Sequence, residues 1–322
     1  MKILVTGASG FLATRLIGRL LEDDAPLAAL GGKVGRIHAL SRRPPEIRDD
    51  RVEPVAEDFT TSERLPALIA EADLVFHLAA VVSAEAETDF DKGYAVNVDG
   101  TRRLLEACRA RAAAGRPVRL VFSSSAAVYG GPLPPLVPDD HHLTPQTSYG
   151  AQKAIGELLV ADYTRKGFVD GRSGRIGMVI VRPGANKAAS GFASAIIREP
   201  LEGRDYVCPV PPETRIWVNT IDVVVENLIR LAALDGNALG PVRSVVLPGM
   251  AATVGDLHAA LAAFDAEAAR RVRFEPDPAV MAIASGWPGG PVGERARRLG
   301  LLDESGVDQA IARYARQAKG QT

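Results

Sequence analysis

The chain has 322 residues, 47% hydrophobic and 24% charged, with 39 acidic against 38 basic side chains, the proportions of a globular enzyme. A net charge of −1 offers no basic field for a phosphate backbone, which argues against nucleic acid as a partner. No apolar run approaches the roughly eighteen residues of a membrane span, and two cysteines, Cys108 and Cys208, are too few for a disulfide framework or a metal knuckle. Residues 1–5 run straight into a glycine turn, so no signal peptide is expected and free thiols suit the cytoplasm.

In chain order, residues 3–5, 37–40, 52–55, 74–78 and 118–122 are short runs rich in branched apolar side chains. Strands buried on both faces of a parallel sheet read this way. Between them, residues 10–21, 62–70 and 96–114 place apolar side chains at helical spacing. In the last, Val98, Leu104, Leu105, Cys108 and Ala112 share one face. Alternating strands and helices predict an α/β fold, a Rossmann doubly wound parallel sheet. Residues 23–35 carry Pro and Gly and read as a surface excursion. A proline-rich stretch, 130–144, precedes a helix from Ser148 to about Lys166. After a strand at 179–182, residues 183–212 mix loop with a short helix near 193–198; a strand at 216–218 and a helix at 222–233 then return to the larger lobe. The expected division is a dinucleotide-binding domain of residues 1–182 plus about 214–236. A smaller C-terminal substrate-binding lobe takes 183–213 plus about 237–322.

Gly7, Gly10 and Ala13 stand at the junction of the first strand and first helix. A backbone that turns tightly, approaches a pyrophosphate and packs a helix on the sheet needs small residues at such spacing. Amides at the helix start then face the anion. The second strand ends in Ser41-Arg42-Arg43, with no acid to hold ribose hydroxyls or repel a 2′-phosphate. That favours NADP over NAD, against the plainer reading of two solvated loop arginines. Asp58, after the third strand, either accepts from the adenine amino group or caps its own turn.

Tyr149 and Lys153, four apart, share a helical face. Oxidising an alcohol requires a base for the hydroxyl proton while carbon loses hydride, and a phenol serves when a nearby cation stabilises its anion. Ser123-Ser124-Ser125 ends the fifth strand, on the carboxyl edge of the sheet where ligands bind. Taken with the glycine turn, these residues resemble the extended short-chain dehydrogenase/reductases, which include nucleotide-sugar epimerases and dehydratases. The likeness runs through residues 6–13, 77–80, Asn97-Val98, Gly100-Thr101, 123–130, 149–153, Arg182-Pro183 and 215–222.

The resemblance implies Tyr149 as acid/base, Lys153 as its partner, Ser125 as the serine of the triad, and Asn97 on the proton-relay side of the pocket. It implies a cofactor site drawn from Gly7, Ser9, Gly10, Phe11 and Leu12 in the turn. Ser41, Arg42, Arg43, Asp58 and Phe59 would meet the adenosine half, and Leu78, Ala79, Ala80, Asn97, Tyr149, Lys153 and Pro183 the rest. Family dehydratases carry an acid pair directly after the triad residue; Ala126-Ala127 here transfer no proton. An epimerase remains the alternative, though Ala185-Asn186-Lys187-Ala188 replaces the family's Asn-x-Tyr-Gly pattern and suggests a smaller substrate. Residues 76–87, 144–163 and 183–200 are similar to members that oxidise a four-carbon sugar acid at carbon 2, implying a small sugar-acid substrate. Those members resemble NAD users with an acid after the second strand, where this chain has Ser41-Arg42-Arg43. Arg215, at the family's phosphate-binding position, would clamp the carboxylate or else close an ion pair between lobes. Lys187 would supplement its charge.

Ser83 and Asn186 are candidates for substrate hydroxyls, and Asp222 reads as a helix cap. His77 reads as a satisfied core histidine, and His141-His142 as loop residues. A non-catalytic dinucleotide-binding regulator is the reading of a different class; it would need neither Tyr149 nor Lys153. The family habit implies a homodimer through the helices at 96–114 and 148–166, with Ala154, Leu158, Ala161 and Arg165 outward.

Overall fold

The computed structural model describes residues 1–22, 27, 30, 33–184, 189–304 and 306–318. In chain order the first strands are β1 (Lys2–Thr6), β2 (Arg36–Ser41), β3 (Val52–Ala56), β4 (Leu74–His77), β5 (Val118–Ser125) and β6 (Val169–Ile176). Then come β7 (Met178–Ile180), β8 (Tyr206–Cys208), β9 (Arg215–Thr220), β10 (Ser244–Val246), β11 (Met250–Thr253) and β12 (Val272–Phe274). The helices used below are α1 (Phe11–Glu22), α2 (Leu65–Glu71), α3 (Ser83–Thr88), α4 (Phe90–Tyr94), α5 (Thr101–Ala112), α6 (Ser148–Arg165), α7 (Phe192–Leu201) and α8 (Ile221–Ala233).

Seven strands form one sheet in the order β10-β6-β5-β4-β1-β2-β3, every pair parallel. Ile3, Val5 and Ile37 face Leu16 and Ile17 of α1 and Val224 and Leu228 of α8. Leu4, Leu40 and Val75 face the other way, onto Leu68 of α2, Leu104 and Leu105 of α5 and Val160 of α6. Both faces of β1, β2 and β4 are covered, so these strands are mainly apolar on both sides, and each buried branched side chain contributes about 1.5–3 kcal/mol. The carboxyl ends of β1, β4 and β5 therefore open onto one edge, where the candidate site lies.

Three features depart from the sequence reading. Strand β6 was not anticipated, because Gly171, Arg172, Ser173, Gly174 and Arg175 break the apolar pattern. Its arginines are buried against acids and carbonyls: Arg172 meets Asp170 and the Leu234 carbonyl, and Arg175 meets Glu157. Strand β9 does not rejoin the large sheet; it pairs with β7 and β11 in a separate three-stranded sheet. There Ile216 and Val218 pack with Ile180, Ile196 and Leu257 in a core of their own. The helix expected from residue 96 opens as a π-helical turn, Ala95–Gly100, before α5 begins. The excursion at 23–35 falls largely outside the described residues.

Asp222 is a further correction. Thr220 occupies the N-cap of α8, and Asp222 instead accepts from Arg15 Nε at 3.0 Å and pairs with Arg313. Ala154, expected on an outward stripe of α6, packs inward with Tyr129 and Trp217, while Leu158 is 65% exposed.

Candidate active site

The turn after β1 is set by a close approach. Gly7 has φ +72°, and a Cβ there would lie 2.8 Å from the Ala79 Cα and 2.9 Å from its nitrogen. Only glycine fits. Its amide donates to Leu40 O, and Gly10 N donates back to Gly7 O, closing the turn with Ser9 and Gly10 exposed and Phe11 and Leu12 half-buried at the start of α1. Thr6 Oγ1 organises the opposite wall: it contacts His77 Nδ1 at 2.8 Å and accepts from the amides of Leu78 and Ala79, both at 3.2 Å. A dinucleotide fits this cradle, because the backbone is bare of side chains where a pyrophosphate would approach. His77 is the satisfied core histidine expected, its other nitrogen 3.0 Å from Thr101 Oγ1, and burial drives its pKa down to about 3.

Around the adenosine end the residues divide. Ser41 is buried and its hydroxyl donates to Arg43 O at 2.5 Å, whereas Arg42 and Arg43 are exposed. Asp58 caps its own turn, accepting from Thr60 N at 2.9 Å and Thr60 Oγ1 at 2.7 Å. The Phe59 ring sits edge-on to His77, 5.3 Å away, which places it in the core. Ala80 is half-buried and Pro183 exposed. Asn186 and Lys187 lie outside the described residues.

At the carboxyl edge of β5, Ser125, Tyr149 and Lys153 come together. Thr147 caps α6 through Gly150 N, and Gly150 lets the helix descend onto the preceding chain, since a Cβ there would meet Ala127 O. Ser125 favours the ionised form of the Tyr149 hydroxyl, and its Oγ accepts from Ala127 N at 3.1 Å. Lys153 Nζ stands 5.6 Å from the Tyr149 ring centre and 4.7 Å from that of Phe122, and donates to Ser123 O at 2.7 Å. Burial lowers the lysine to about 7, against the pull of Glu157.

Burial also raises the Tyr149 pKa, opposed first by Arg182 and then by the Ser125 hydrogen bond. Lys153, 5.6 Å from the Tyr149 ring, donates to a carbonyl, and burial weakens its hold on a proton. Arg182, whose charge favours the Tyr149 phenolate, entered the sequence reading only as part of a motif.

Asn97 is spoken for. The π-helical turn carries it inward, where Oδ1 accepts from Val81 N at 2.8 Å and Nδ2 donates to Val81 O at 3.0 Å and Gln152 Oε1 at 2.7 Å. It ties the chain after β4 to α6 rather than presenting a free amide. Ser83 opens α3 half-buried, and Glu87 of that helix accepts from Ser148 N at 2.8 Å. Arg215, first in β9, is exposed over Gly289, whose Cβ position lies 3.3 Å from the Arg215 Cβ. Sequence reasoning also missed a buried network behind Lys153. Glu157 accepts from Ser124 Oγ at 2.5 Å and bidentately from Arg175, whose Nη1 donates to Tyr129 at 2.5 Å. Its only sequence signal is Glu157 one turn after Lys153.

A model of the NAD dependent epimerase/dehydratase family matches residues 3–235. The chain belongs to that family. Membership brings a nicotinamide dinucleotide as cofactor, in keeping with the cradle at Gly7. The chain is 44% identical to a D-erythronate dehydrogenase of Cupriavidus necator, over 99% of both proteins. It is 39% identical to a D-erythronate dehydrogenase of Haemophilus influenzae, over 98% of both. A crystal structure described as a nucleoside-diphosphate-sugar epimerase from Agrobacterium tumefaciens is 42% identical, with TM-score 0.92 over 100% of this chain and 95% of that one. No helix among the described residues is long and apolar enough to cross a membrane.

Proposed function

We propose that the protein oxidises a small sugar acid of the D-erythronate type at its α-hydroxyl, giving the 2-oxo acid. The observation that supports this most is the approach of Lys153 Nζ to the Tyr149 ring, 5.6 Å from its centre, at the carboxyl end of β5, where Lys153 donates to Ser123 O. Relatives named D-erythronate dehydrogenase that match end to end at about two-fifths identity point to the same substrate class. When bound, the nicotinamide supplies the hydride acceptor. Tyr149 would take the hydroxyl proton, Ser125 orient the substrate oxygen, and Lys153 supply positive charge near the phenol ring. Asn97 positions the chain after β4. Ser83 would meet an outer hydroxyl and Arg215 the carboxylate. Because burial keeps Tyr149 a phenol in the resting protein, oxidation should accelerate as pH rises and the phenolate fraction grows. Tyr149→Phe should lower turnover at least ~10²-fold; near-normal turnover would remove Tyr149 from the reaction.

The finer reading of the cofactor is NADP. Arg42 and Arg43 are exposed, without partners among the described residues, at the end of a strand that carries no acid. One charge-assisted arginine–phosphate contact contributes about 1.5–3 kcal/mol, roughly ten- to a hundredfold in affinity. Changing both to alanine should weaken NADP and spare NAD; a wild-type efficiency ratio favouring NAD defeats this reading. We place the enzyme in the cytoplasm, in keeping with its two buried free thiols. A homodimer is supported by exposed Leu158 on α6 and exposed Phe90 on neighbouring α4, and a monomeric mass at micromolar concentration would refute it.

A further inference from the structure

We infer that Gln152 is a positioning residue: through Asn97 it sets where the segment carrying Ser83 stands against the helix carrying Tyr149. The part given to Ser83 rests on the α-hydroxy acid reading above; the coupling itself stands on hydrogen bonds. Val81 N donates to Asn97 Oδ1 at 2.8 Å and Val81 O accepts from Asn97 Nδ2 at 3.0 Å, so the backbone fixes which way round the Asn97 amide lies. The second hydrogen on Nδ2 then needs an acceptor, and Gln152 Oε1 supplies it at 2.7 Å. That leaves Gln152 Nε2 without a hydrogen-bond partner among the described residues, in a side chain of 0% exposure. Gly93 makes room for it, since a Cβ there would lie 2.5 Å from Nε2. A buried, unpaired amide is costly, and a methionine of similar length would avoid that cost. What the glutamine contributes is therefore its oxygen.

The place of this bond gives it a consequence for the reaction. Gln152 stands next to Lys153 and three residues after Tyr149 on α6, and at the start of the same helix Ser148 N donates to Glu87 of α3 at 2.8 Å. Ser148 and Gln152 bracket Tyr149; Val81 and Glu87 bracket Ser83. Together the two ties fix a candidate substrate-binding hydroxyl against the proton acceptor. They are unequal, because the bond from Glu87 is exposed whereas Val81, Asn97 and Gln152 are buried, out of competition with water. The earlier part of the segment is held separately: Thr6 Oγ1 accepts from the amides of Leu78 and Ala79, which form the wall against the phosphate turn. Gln152 thus governs the substrate side of the segment and not its cofactor side.

The test compares Gln152→Met, which loses the accepting oxygen, with Gln152→Glu, which keeps one in the same place. Each is measured by hydrogen–deuterium exchange of the peptide 78–83, thermal unfolding, fluorescence titration with cofactor, and kinetics with a four-carbon aldonate. In Gln152→Met the peptide should exchange ~10-fold faster, the scale of one buried hydrogen bond, with β5 unchanged. KM for the aldonate should rise ~10-fold at nearly constant kcat, while cofactor affinity stays within ~2-fold. The unfolding temperature should move by no more than about 4 °C, because one unpaired buried amide replaces another. Gln152→Glu should recover the slow exchange and most of the KM. A purely structural residue would instead lower the unfolding temperature and weaken cofactor and substrate together. Wild-type exchange in Gln152→Met, or equal impairment of the two variants, overturns the coupling. A wild-type protein that oxidises no α-hydroxy acid overturns the reading beneath and with it the part given to Ser83, while the exchange comparison still decides whether Gln152 holds the segment.

Discussion

Replacing Glu157 by glutamine keeps the shape of the side chain and removes one charge from the centre of the buried network behind Lys153. Both members of the Glu157–Arg175 pair are nearly inaccessible, with side-chain exposures of 3% and 9%, and Nη2 to Oε2 is 2.7 Å. With charge centres about 4 Å apart and an effective dielectric of about 20, the attraction is roughly 4 kcal/mol. Breaking such a pair leaves a buried guanidinium uncompensated, which typically costs about 3–5 kcal/mol. Urea unfolding of Glu157→Gln should show a loss of that size. Arg175→Met should lose a similar amount, and the double variant clearly less than the sum. The same carboxylate raises the pKa of Lys153, which burial holds at about 7. Without it, Lys153 loses its proton at lower pH, so turnover of Glu157→Gln should fall further behind wild type at pH 8 than at pH 6. A stability change under ~1 kcal/mol, or a deficit that ignores pH, would refute the view that this pair holds both β6 and the lysine charge.

Gly7→Ala should destabilise the protein by ~2–4 kcal/mol, combining a positive φ with a Cβ 2.8 Å from the Ala79 backbone, and should weaken cofactor binding in a fluorescence titration. Wild-type affinity there would mean that the wall at Ala79 yields. His77 titrates at about 3 when folded against about 6.5 when unfolded, so its stabilisation is complete above pH 6.5 and drains away as pH falls toward 3. By pH 4.5 the loss from this residue is ~2–3 kcal/mol; His77→Asn should lose correspondingly less between pH 7 and 4.5, and equal losses would exonerate the histidine.

Strands β1, β2, β4 and β5 were readable because strands covered on both faces are mainly apolar, and α1 and α6 because turn and cap residues bracket them. Strand β6 was not, since its buried arginines are balanced by Glu157 and by carbonyls that only the fold brings near. The grouping of Tyr149, Lys153 and Ser125 could be anticipated from one helical turn and one strand end. The influence of Arg182 on Tyr149 could not, since Arg182 follows β7, a strand of the second sheet. Asn97 was identified as a site residue, but the π-helical turn that rotates it toward Val81 and Gln152 leaves no mark in the apolar pattern. The outward stripe on α6 failed at Ala154 because Tyr129 and Trp217, distant in sequence, cover it.

The central position of β1 has a bearing on how the chain comes to be folded. Ile3 pairs with Ile37 on one side and with Leu74 on the other, so β1 acquires both neighbours only after the hairpin-free stretch to β4 has been made. Until then one edge of β1 is open and α5, α6 and α8 are missing from its cover, and the crossovers close slowly because parallel pairing is non-local. Nascent chains released before β4 therefore present Ile3, Leu4 and Val5 on a strand with an open edge. They are the species on which a chaperone would act and from which aggregates would grow.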